Sequence, residues 1–345
     1  MIIAFIIFAV GITGAYAFSI FKAKDVAGLY PPLGEFTDID GTRIHSVHVK
    51  APEDPEMPPL VFIHGASSNL RDLMPPLRSR FEGRAEMLFV DRPGHGWSER
   101  GTGNDTPEGQ ARMIAAVMKT KNIEKAIIIG HSFGGAVTAG FAVEYPEMTA
   151  GLVFLSPASH PWPTGVAWYN NLAATPAIGW LFANTLAVPA ARSRLPGGVV
   201  CVFAPNKVPE NYIDNAAIPL LLRPESFRNN ATDIARLNAH VTTYAPRYKQ
   251  IKAPTIIITG DADDIVFPDI HSEGLKTDIE GSKLIWVKNL GHKPDYAATD
   301  LVVAAIETVS GQERDLDAIA RTVEATISND AETCGGSDSK SGDQS

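Results

Sequence analysis

Short apolar runs alternate with stretches of helical periodicity through most of the chain. The runs lie at 60–63, 87–90, 126–129, 152–155, 255–259 and 283–287. A helix is predicted between two of them, with Thr106 as its N-cap and Pro107 at its first position. Before the first run, alternating polar and apolar residues turn at Asp40 and Gly41, which predicts a β-hairpin. The pattern as a whole is typical of an α/β protein with a mostly parallel central sheet flanked by helices.

The alternation stops at residues 160–248, which are rich in Pro, Trp and Ala and show no strand pattern. We therefore predict a helical cap, or lid, inserted into a core formed by residues 35–159 and 249–310. Trp162, Trp168 and Trp180 fall in the first third of the insert. They can line an apolar pocket or pack the core of the insert itself, and the sequence leaves both open.

The first 21 residues carry no charged side chain, and Lys22 and Lys24 follow them. Such a segment is long enough to cross a bilayer as a helix, so residues 1–21 are predicted to be a transmembrane anchor of a single-pass protein. A cleaved secretory signal is an alternative that would make the protein secreted or periplasmic, because Ala15–Ala17 resembles a cleavage site, although a basic leader is missing. A buried helix is the third interpretation. The two lysines favour a cytosolic body only weakly, so the membrane face stays open.

The chain of 345 residues has a net charge of −9, which excludes nucleic acid as an expected partner. Residues 311–345 contribute eight acids and three bases, a net −5, and are predicted to form a helix to Ile327 followed by a partly disordered acidic tail. The two cysteines, Cys201 and Cys334, are far apart in sequence, so the sequence supports neither a disulfide framework nor a zinc site.

Ser132 lies in a G-x-S-x-G pattern, within residues 130–134. A predicted strand precedes it and a predicted helix follows it, as a nucleophile on a sharp strand-to-helix turn requires. Such a turn exposes the hydroxyl and places it at a helix N-terminus, where developing negative charge is stabilised. Ser132 is therefore the predicted nucleophile.

A serine needs a base to take its proton, and His292, in a loop after the last predicted strand, is the best candidate. His64 and His95 lie in glycine-flanked turns, where imidazoles often make structural hydrogen bonds. His131 adjoins the nucleophile, but the geometry of the turn predicts that its ring points away.

The base needs a carboxylate to hold its tautomer. Asp261, Asp263 and Asp264 all follow the predicted strand at 255–259, and the residues alone leave the choice among them open.

Five motifs together resemble the α/β-hydrolase superfamily, in its lidded serine esterase, lipase and lactonase branch. The resemblance covers roughly residues 35–310 and rests on FIHG at 62–65, DRPGHGWS at 91–98, GHSFGG at 130–135, GDADDIVFP at 260–268 and NLGHKP at 289–294.

The resemblance implies a catalytic triad of Ser132, His292 and Asp263. It also implies an oxyanion hole made by the backbone N–H groups of Ala66 and Phe133, with no metal or cofactor. Asp91 resembles a structural residue that holds the loop at 92–96. A serine at the nucleophile position argues against dehalogenases and epoxide hydrolases of this fold, which attack with an aspartate.

The expected reaction is two-step acyl transfer on a carboxylic ester or lactone, with an apolar or aromatic small molecule as substrate. The alternatives are a C–C bond hydrolase or a cofactor-free perhydrolase that uses the same triad, and a non-enzymatic binding protein. The sequence leaves the substrate and the oligomeric state open.

Overall fold

The computed structural model describes residues 2–334, with side chains from Val10 onward. Its centre is a sheet of eight strands in the order β1-β2-β4-β3-β5-β6-β7-β8. The strands are β1 Glu35–Ile39, β2 Thr42–Val49, β3 Leu60–Ile63, β4 Met87–Val90, β5 Ala126–His131, β6 Thr149–Leu155, β7 Thr255–Gly260 and β8 Lys283–Val287. β1 and β2 are antiparallel, and β3 to β8 are all parallel. The mostly parallel sheet is confirmed.

Helices cover both faces of the sheet. They are α1 Ile2–Leu29, α2 Met74–Phe81, α3 Pro107–Thr120, α4 Phe133–Glu144, α5 Trp168–Ala174, α6 Ala177–Phe182, α7 Val188–Phe203, α8 Tyr212–Asn215, α9 Pro224–Tyr244, α10 Pro268–Asp278, α11 Pro294–Ala297, α12 Thr299–Val309 and α13 Leu316–Ile327. A π-helical segment, Ala183–Ala187, joins α6 to α7. Helices α3, α4 and α10 pack on one face of the sheet, and α2, α12 and α13 on the other.

The central strands are apolar on both sides because both faces are covered. On β3, Val61 and Ile63 belong to one core cluster, whereas Leu60 and Phe62 belong to the other. This is the alternation that a pleated strand imposes. The carboxyl ends of β3, β5 and β7 are therefore held rigidly at one edge of the sheet, which is where sites form in this architecture.

The hairpin between β1 and β2 turns at Asp40 and Gly41, whose φ angles are +52° and +80°. Two positive φ angles in a two-residue loop match the twist of the paired strands, and Asp and Gly tolerate them. The predicted hairpin is present.

The segment between β6 and β7 contains α5 to α9, and the structure places no strand in it. Trp162 packs against the ring of His271, with ring centroids 5.6 Å apart. Trp168 and Trp180 are 69% and 48% exposed, so neither of them packs the core of the insert.

α1 is a continuous helix that extends eight residues past the predicted anchor. It packs along the cap, where the Tyr16 ring lies 5.9 Å from that of Trp180 and Ser19 is buried. No single helix in the described part of the chain is long and apolar enough to span a bilayer, whereas Trp168–Ala174 and Ala177–Phe203 reach that length and composition only as a pair bent by 111°. Residues 1–9 of the predicted anchor lie outside the described side chains.

Cys201 on α7 and Cys334 form a disulfide across 133 residues, although the sequence offered no support for a disulfide. The chain after α13 returns to the cap, where the Glu332 N–H donates to the Pro205 carbonyl at 2.9 Å. Distance along the chain says nothing about distance in space, and this return brings the two sulfurs together. The remainder of the predicted acidic tail, residues 335–345, lies outside the described residues.

Candidate active site

Ser132 occupies the turn between β5 and α4, with a positive φ of +54°. A non-glycine residue with this φ is strained and persists only where its surroundings hold it. Here the Ser132 N–H donates to the Leu155 carbonyl at 2.9 Å, and the Ser132 carbonyl accepts from the N–H groups of Gly135 and Ala158. The end of β6 therefore fixes the backbone of the predicted nucleophile.

Two glycines let the turn after β3 touch the nucleophile turn. A Cβ atom on Gly65 would lie 3.0 Å from the Ser132 Cβ, and one on Gly134 would lie 2.3 Å from the Ile63 carbonyl oxygen. Larger residues would push the two turns apart. This contact places Ala66, the neighbour of Gly65, beside the serine turn.

The two predicted oxyanion donors belong to these turns. Phe133 is the first residue of α4, so its N–H has no acceptor within the helix. Arg92 braces both turns, because its guanidinium lies 4.4 Å from the Phe133 ring centre and donates to the carbonyls of His64 and Gly65 at 2.9 Å. Backbone donors held in this way need no reorganisation when charge develops.

His292 and Asp263 are paired in the buried end of the site. The His292 Nδ1 lies 2.7 Å from the Asp263 Oδ2, while the Asp263 Oδ1 accepts from the backbone N–H groups of Ile265 and Val266. Asp261 instead accepts from the Asn289 N–H at 2.7 Å. An Nδ1–H held by a carboxylate leaves Nε2 free to take a proton, which is the tautomer that a general base needs.

The expectation that His131 points away from the site is wrong. Its Nε2 donates to the His292 carbonyl at 2.7 Å, and the two rings are 4.9 Å apart. Burial, with the positive charge of Lys293, holds the pKa of His131 well below its usual range, so the ring is neutral. The turn directs the residue before the serine toward the loop of the base, where it supports the backbone of His292.

The model of the alpha/beta hydrolase fold family matches residues 58–294, which include all three predicted triad residues. The chain belongs to this family. Its curated relatives include hydrolases and lipases.

One relative of this chain is the 2-hydroxy-6-oxononadienedioate/2-hydroxy-6-oxononatrienedioate hydrolase of Comamonas testosteroni, 23% identical over 77% of this chain and 92% of that protein. Another is Lipase 1 of Psychrobacter immobilis, 24% identical over 70% of this chain and 73% of that protein. Two further curated relatives are matched over only 33% and 48% of their length. The enol-lactonase of Burkholderia xenovorans LB400 superposes with a TM-score of 0.61 at 19% identity, covering 81% of this chain and all of that one, which shows a shared fold.

A buried charge cluster adjoins the loop of the base. The ammonium of Lys293 lies 2.8 Å from Asp72 and 3.0 Å from Asp295, and the Tyr212 hydroxyl of α8 donates to Asp72 at 2.8 Å. Burial lowers the pKa of Lys293, but Asp295 and Asp72 raise it more. Burial, opposed by Lys293, raises the pKa of Asp295 to about 6. The cluster connects the cap to the residue next to His292.

Helix α9 of the cap is tied to the turn that carries Ala66. Asn230 accepts from the Ser67 N–H at 2.6 Å and donates to its hydroxyl at 3.0 Å. One turn further along α9, the buried Asp233 contacts Arg92 at 2.9 Å, His95 at 2.8 Å and Arg100 at 2.7 Å. Burial raises the pKa of Asp233, but these three partners hold it below its usual range. The cap therefore contacts the predicted oxyanion turn through α9.

Sequence reasoning missed Lys293, Asp233 and Asn230. Each acts through a partner that is distant along the chain, from 133 to 221 residues away. The sequence could have pointed to Lys293 because it follows His292. It holds no comparable indication for Asp233 and Asn230 on α9.

Asp91 has the structural role that its motif implies. It accepts from the backbone N–H groups of Leu70 and Trp97, and it pairs with His45 at 2.7 Å. His64 is also structural, because its Nε2 accepts from the Arg92 N–H at 3.0 Å.

Within the described residues, no three His, Cys, Asp or Glu side chains are arranged to hold a metal ion.

Proposed function

We propose that this hydrolase cleaves carboxylic esters or lactones through a covalent acyl-enzyme. The observation that carries the proposal is the pairing of His292 with Asp263 at 2.7 Å, together with the strained serine turn at the end of β5 in the same sheet. Strained serine, oriented imidazole and buried carboxylate are the parts of a nucleophilic triad.

In the proposed reaction, the Ser132 oxygen attacks the carbonyl carbon while His292 takes the hydroxyl proton. The backbone N–H groups of Ala66 and Phe133 stabilise the oxyanion that forms. The tetrahedral intermediate collapses, the C–O bond to the alcohol breaks, and His292 returns the proton to the leaving oxygen. A water molecule, deprotonated by His292, then attacks the acyl carbon and releases the acid and Ser132.

The charges around the site favour an uncharged substrate. The cap also contains a stretch without Asp, Glu, Lys or Arg, residues 161–191, which offers no charged group to a substrate. The cations near the triad are already committed, Lys293 to Asp72 and Asp295, and Arg92 to Asp233. An apolar or aromatic ester or lactone suits such surroundings.

C–C bond hydrolysis is a second candidate, favoured by the Comamonas testosteroni relative, whose name describes a 2-hydroxy-6-oxo dienedioate as substrate. A dianionic acid needs free cationic groups at the site, and the paired state of Lys293 and Arg92 speaks against it. Turnover of the dienedioate in preference to esters would reverse the order of the two candidates.

The test compares hydrolysis of p-nitrophenyl esters of increasing chain length by the wild type and by Ser132→Ala. We expect the substitution to lower kcat by roughly 10⁴- to 10⁶-fold without unfolding the protein, because the nucleophile is lost. Full turnover by Ser132→Ala would overturn the mechanism.

Ser156 offers a matched control. It also follows a strand, β6, also has a positive φ (+41°), and is buried. Ser156→Ala should retain kcat within a few-fold, because its hydroxyl has no role in the proposed reaction.

We further propose that residues 1–21 anchor the enzyme to a membrane. The charge-free sequence and the unbroken helix of α1 support this interpretation. The disulfide favours a catalytic domain on the oxidising side, since disulfides persist in oxidising compartments. Lys22 and Lys24 favour the opposite side, but two lysines orient a protein weakly.

The anchor is tested on protein purified from membranes. We expect an intact mass that includes residues 1–21 and a protein that resists extraction with alkaline carbonate. A mass that begins after Ala17, in protein recovered in the soluble fraction, would favour the cleaved signal instead.

A further inference from the structure

Large exposed apolar side chains are concentrated on one part of the molecule. Among the described residues there are 14 of them, of which four lie on α1 and six on the cap. We call these six the apolar cap face: Trp168, Tyr169, Ile178, Trp180, Leu181 and Leu186. Monomeric proteins in water seldom keep so many large apolar groups exposed together, and such groups mark contacts with a partner or a membrane.

The charge pattern around the apolar cap face fits lipid. The 31 residues at 161–191 carry no charged side chain, and Arg192 and Arg194 follow directly. A surface that is free of charge, with tryptophans on it and arginines at its border, has the composition of the boundary between hydrocarbon and headgroups.

α1 gives the depth at which this face would meet a bilayer. Tyr16 packs on Trp180, and the first charged residue of the helix, Lys22, is six positions further on. At about 1.5 Å per residue, this contact is about 9 Å from the charged end of the apolar segment. If residues 1–21 occupy the hydrocarbon, Trp180 lies about 9 Å below its charged border, within the depth of about 5–10 Å to which interfacial helices bury their apolar faces.

We propose that the apolar cap face rests in the interfacial layer of the bilayer that holds α1, and that the substrate is an ester dissolved in that bilayer. The proposal rests on the proposed function and on its anchor. It places the cap, and not only the N-terminal helix, in contact with lipid. The exposed side chains of Ile265 and Phe267, which follow the triad acid, provide an apolar rim for such a substrate.

The test uses the full chain in phosphatidylcholine vesicles whose acyl chains are brominated near the headgroup, since bromine quenches tryptophan fluorescence only at contact. The chain has five tryptophans, and two of them belong to the apolar cap face. We expect the fluorescence of the wild type to be quenched, and most of this quenching to be lost in Trp168→Phe/Trp180→Phe, because tryptophans at the headgroup level contact the bromines.

Trp286 provides the matched control. It lies on β8 outside the cap, and its indole N–H donates to Glu273 at 2.9 Å. Trp286→Phe should leave the amount of quenched fluorescence unchanged.

The failures can be told apart. A wild type that does not float with the vesicles would contradict the anchor and, with it, this proposal. Floating protein that is not quenched, or quenching that survives in the double variant, would overturn the proposal alone. If a cross-linked dimer also disappears in that variant, the face joins two copies of the chain and does not contact lipid.

Hydrolysis of a water-soluble short ester is measured in the same samples. It should be the same within about twofold in the wild type and the double variant, because exposed side chains away from the triad have small effects. If neither the wild type nor the double variant hydrolyses the short ester, the result contradicts the proposed function and not the contact of the apolar cap face with lipid. Hydrolysis of a long-chain ester carried in the vesicles should fall at least tenfold in the double variant only.

Discussion

The inner helix of the cap, α9, and the apolar cap face belong to the same inserted segment but differ in the kind of side chain that they present. On α9, Asp233 is fully buried and contacts two arginines and a histidine. On the apolar cap face, Trp168 and Ile178 are more than 60% exposed, and charged residues are absent from 161–191. The inner side thus makes its contacts through buried charged groups, whereas the outer side exposes apolar side chains and carries no charge.

The difference has an energetic consequence. A buried charge that loses its partner is costly, because its hydration has already been given up. Replacing an exposed apolar side chain changes the unfolding free energy little, because the side chain has few neighbours in the folded chain. Substitutions should therefore have large effects at the inner surface and small effects on stability at the outer one.

Asp233→Ala should give the largest effect. We expect the free energy of unfolding to fall by about 3–5 kcal/mol, because Arg92 stays buried without its carboxylate. kcat should fall with it, since Arg92 also holds the turn before Ala66. Denaturant titration and ester hydrolysis measure the two effects.

The matched control is Asp105→Ala. It removes an exposed carboxylate that pairs with Arg236, which lies on α9 as Asp233 does. Exposed pairs contribute about 1 kcal/mol or less, so the two variants should differ clearly. Equal losses would contradict the distinction between buried and exposed ties.

Lowering the pH should reduce the unfolding free energy through His95, which contacts Asp233 on the inner side of the cap. Burial, assisted by Arg92, lowers the pKa of His95 from 6.5 to about 4. Between these values the unfolded chain binds a proton that the folded chain does not, so this contribution to stability is complete above pH 6.5 and is lost as the pH falls to about 4. Each such histidine adds about 1.4 kcal/mol per pH unit to the slope of the unfolding free energy.

His95→Gln tests this slope, since glutamine keeps a donor for Asp233. Unfolding free energies measured from pH 7 to 4 should fall less steeply in the variant than in the wild type. Parallel curves would mean that His95 does not stay neutral in the folded chain.

The smallest effect is expected on the outer face. Ile178→Ser and Leu186→Ser replace side chains that are both 64% exposed, so the unfolding free energy in detergent should change by no more than about 0.5 kcal/mol. Leu237→Ala on α9, where the leucine is 5% exposed, should cost about 2–5 kcal/mol. A large loss at Ile178 or Leu186 would show that another part of the chain covers the face.

The parts of the molecule that sequence reasoning predicted are those encoded by neighbours. The apolar runs specify the parallel strands, because burial on both faces excludes polar residues. The turn that carries Ser132 was readable because its strand, small residues and helix are contiguous. His292 and Asp263 could be proposed from their positions after strand ends, and the structure places their side chains together.

Sequence reasoning did not predict the contacts between segments that are distant along the chain. Asp233 looks like any acid on a polar helix until α9 lies against Arg92, 141 residues away. Likewise, the residue before the nucleophile was expected to point away, yet the orientation of His131 depends on where the loop of His292 passes. Local pattern holds no information on either.

The disulfide closes a covalent ring that runs from Cys201 to Cys334. Asp263 and His292 lie inside this ring, as does α9, while Ser132 lies outside it. Proteolytic nicking at any single site between the two cysteines therefore yields two fragments that migrate as one chain until a reductant is added. The proposed acid and base, and the α9 helix that contacts the proposed oxyanion turn, would remain tethered to the proposed nucleophile after such a cut.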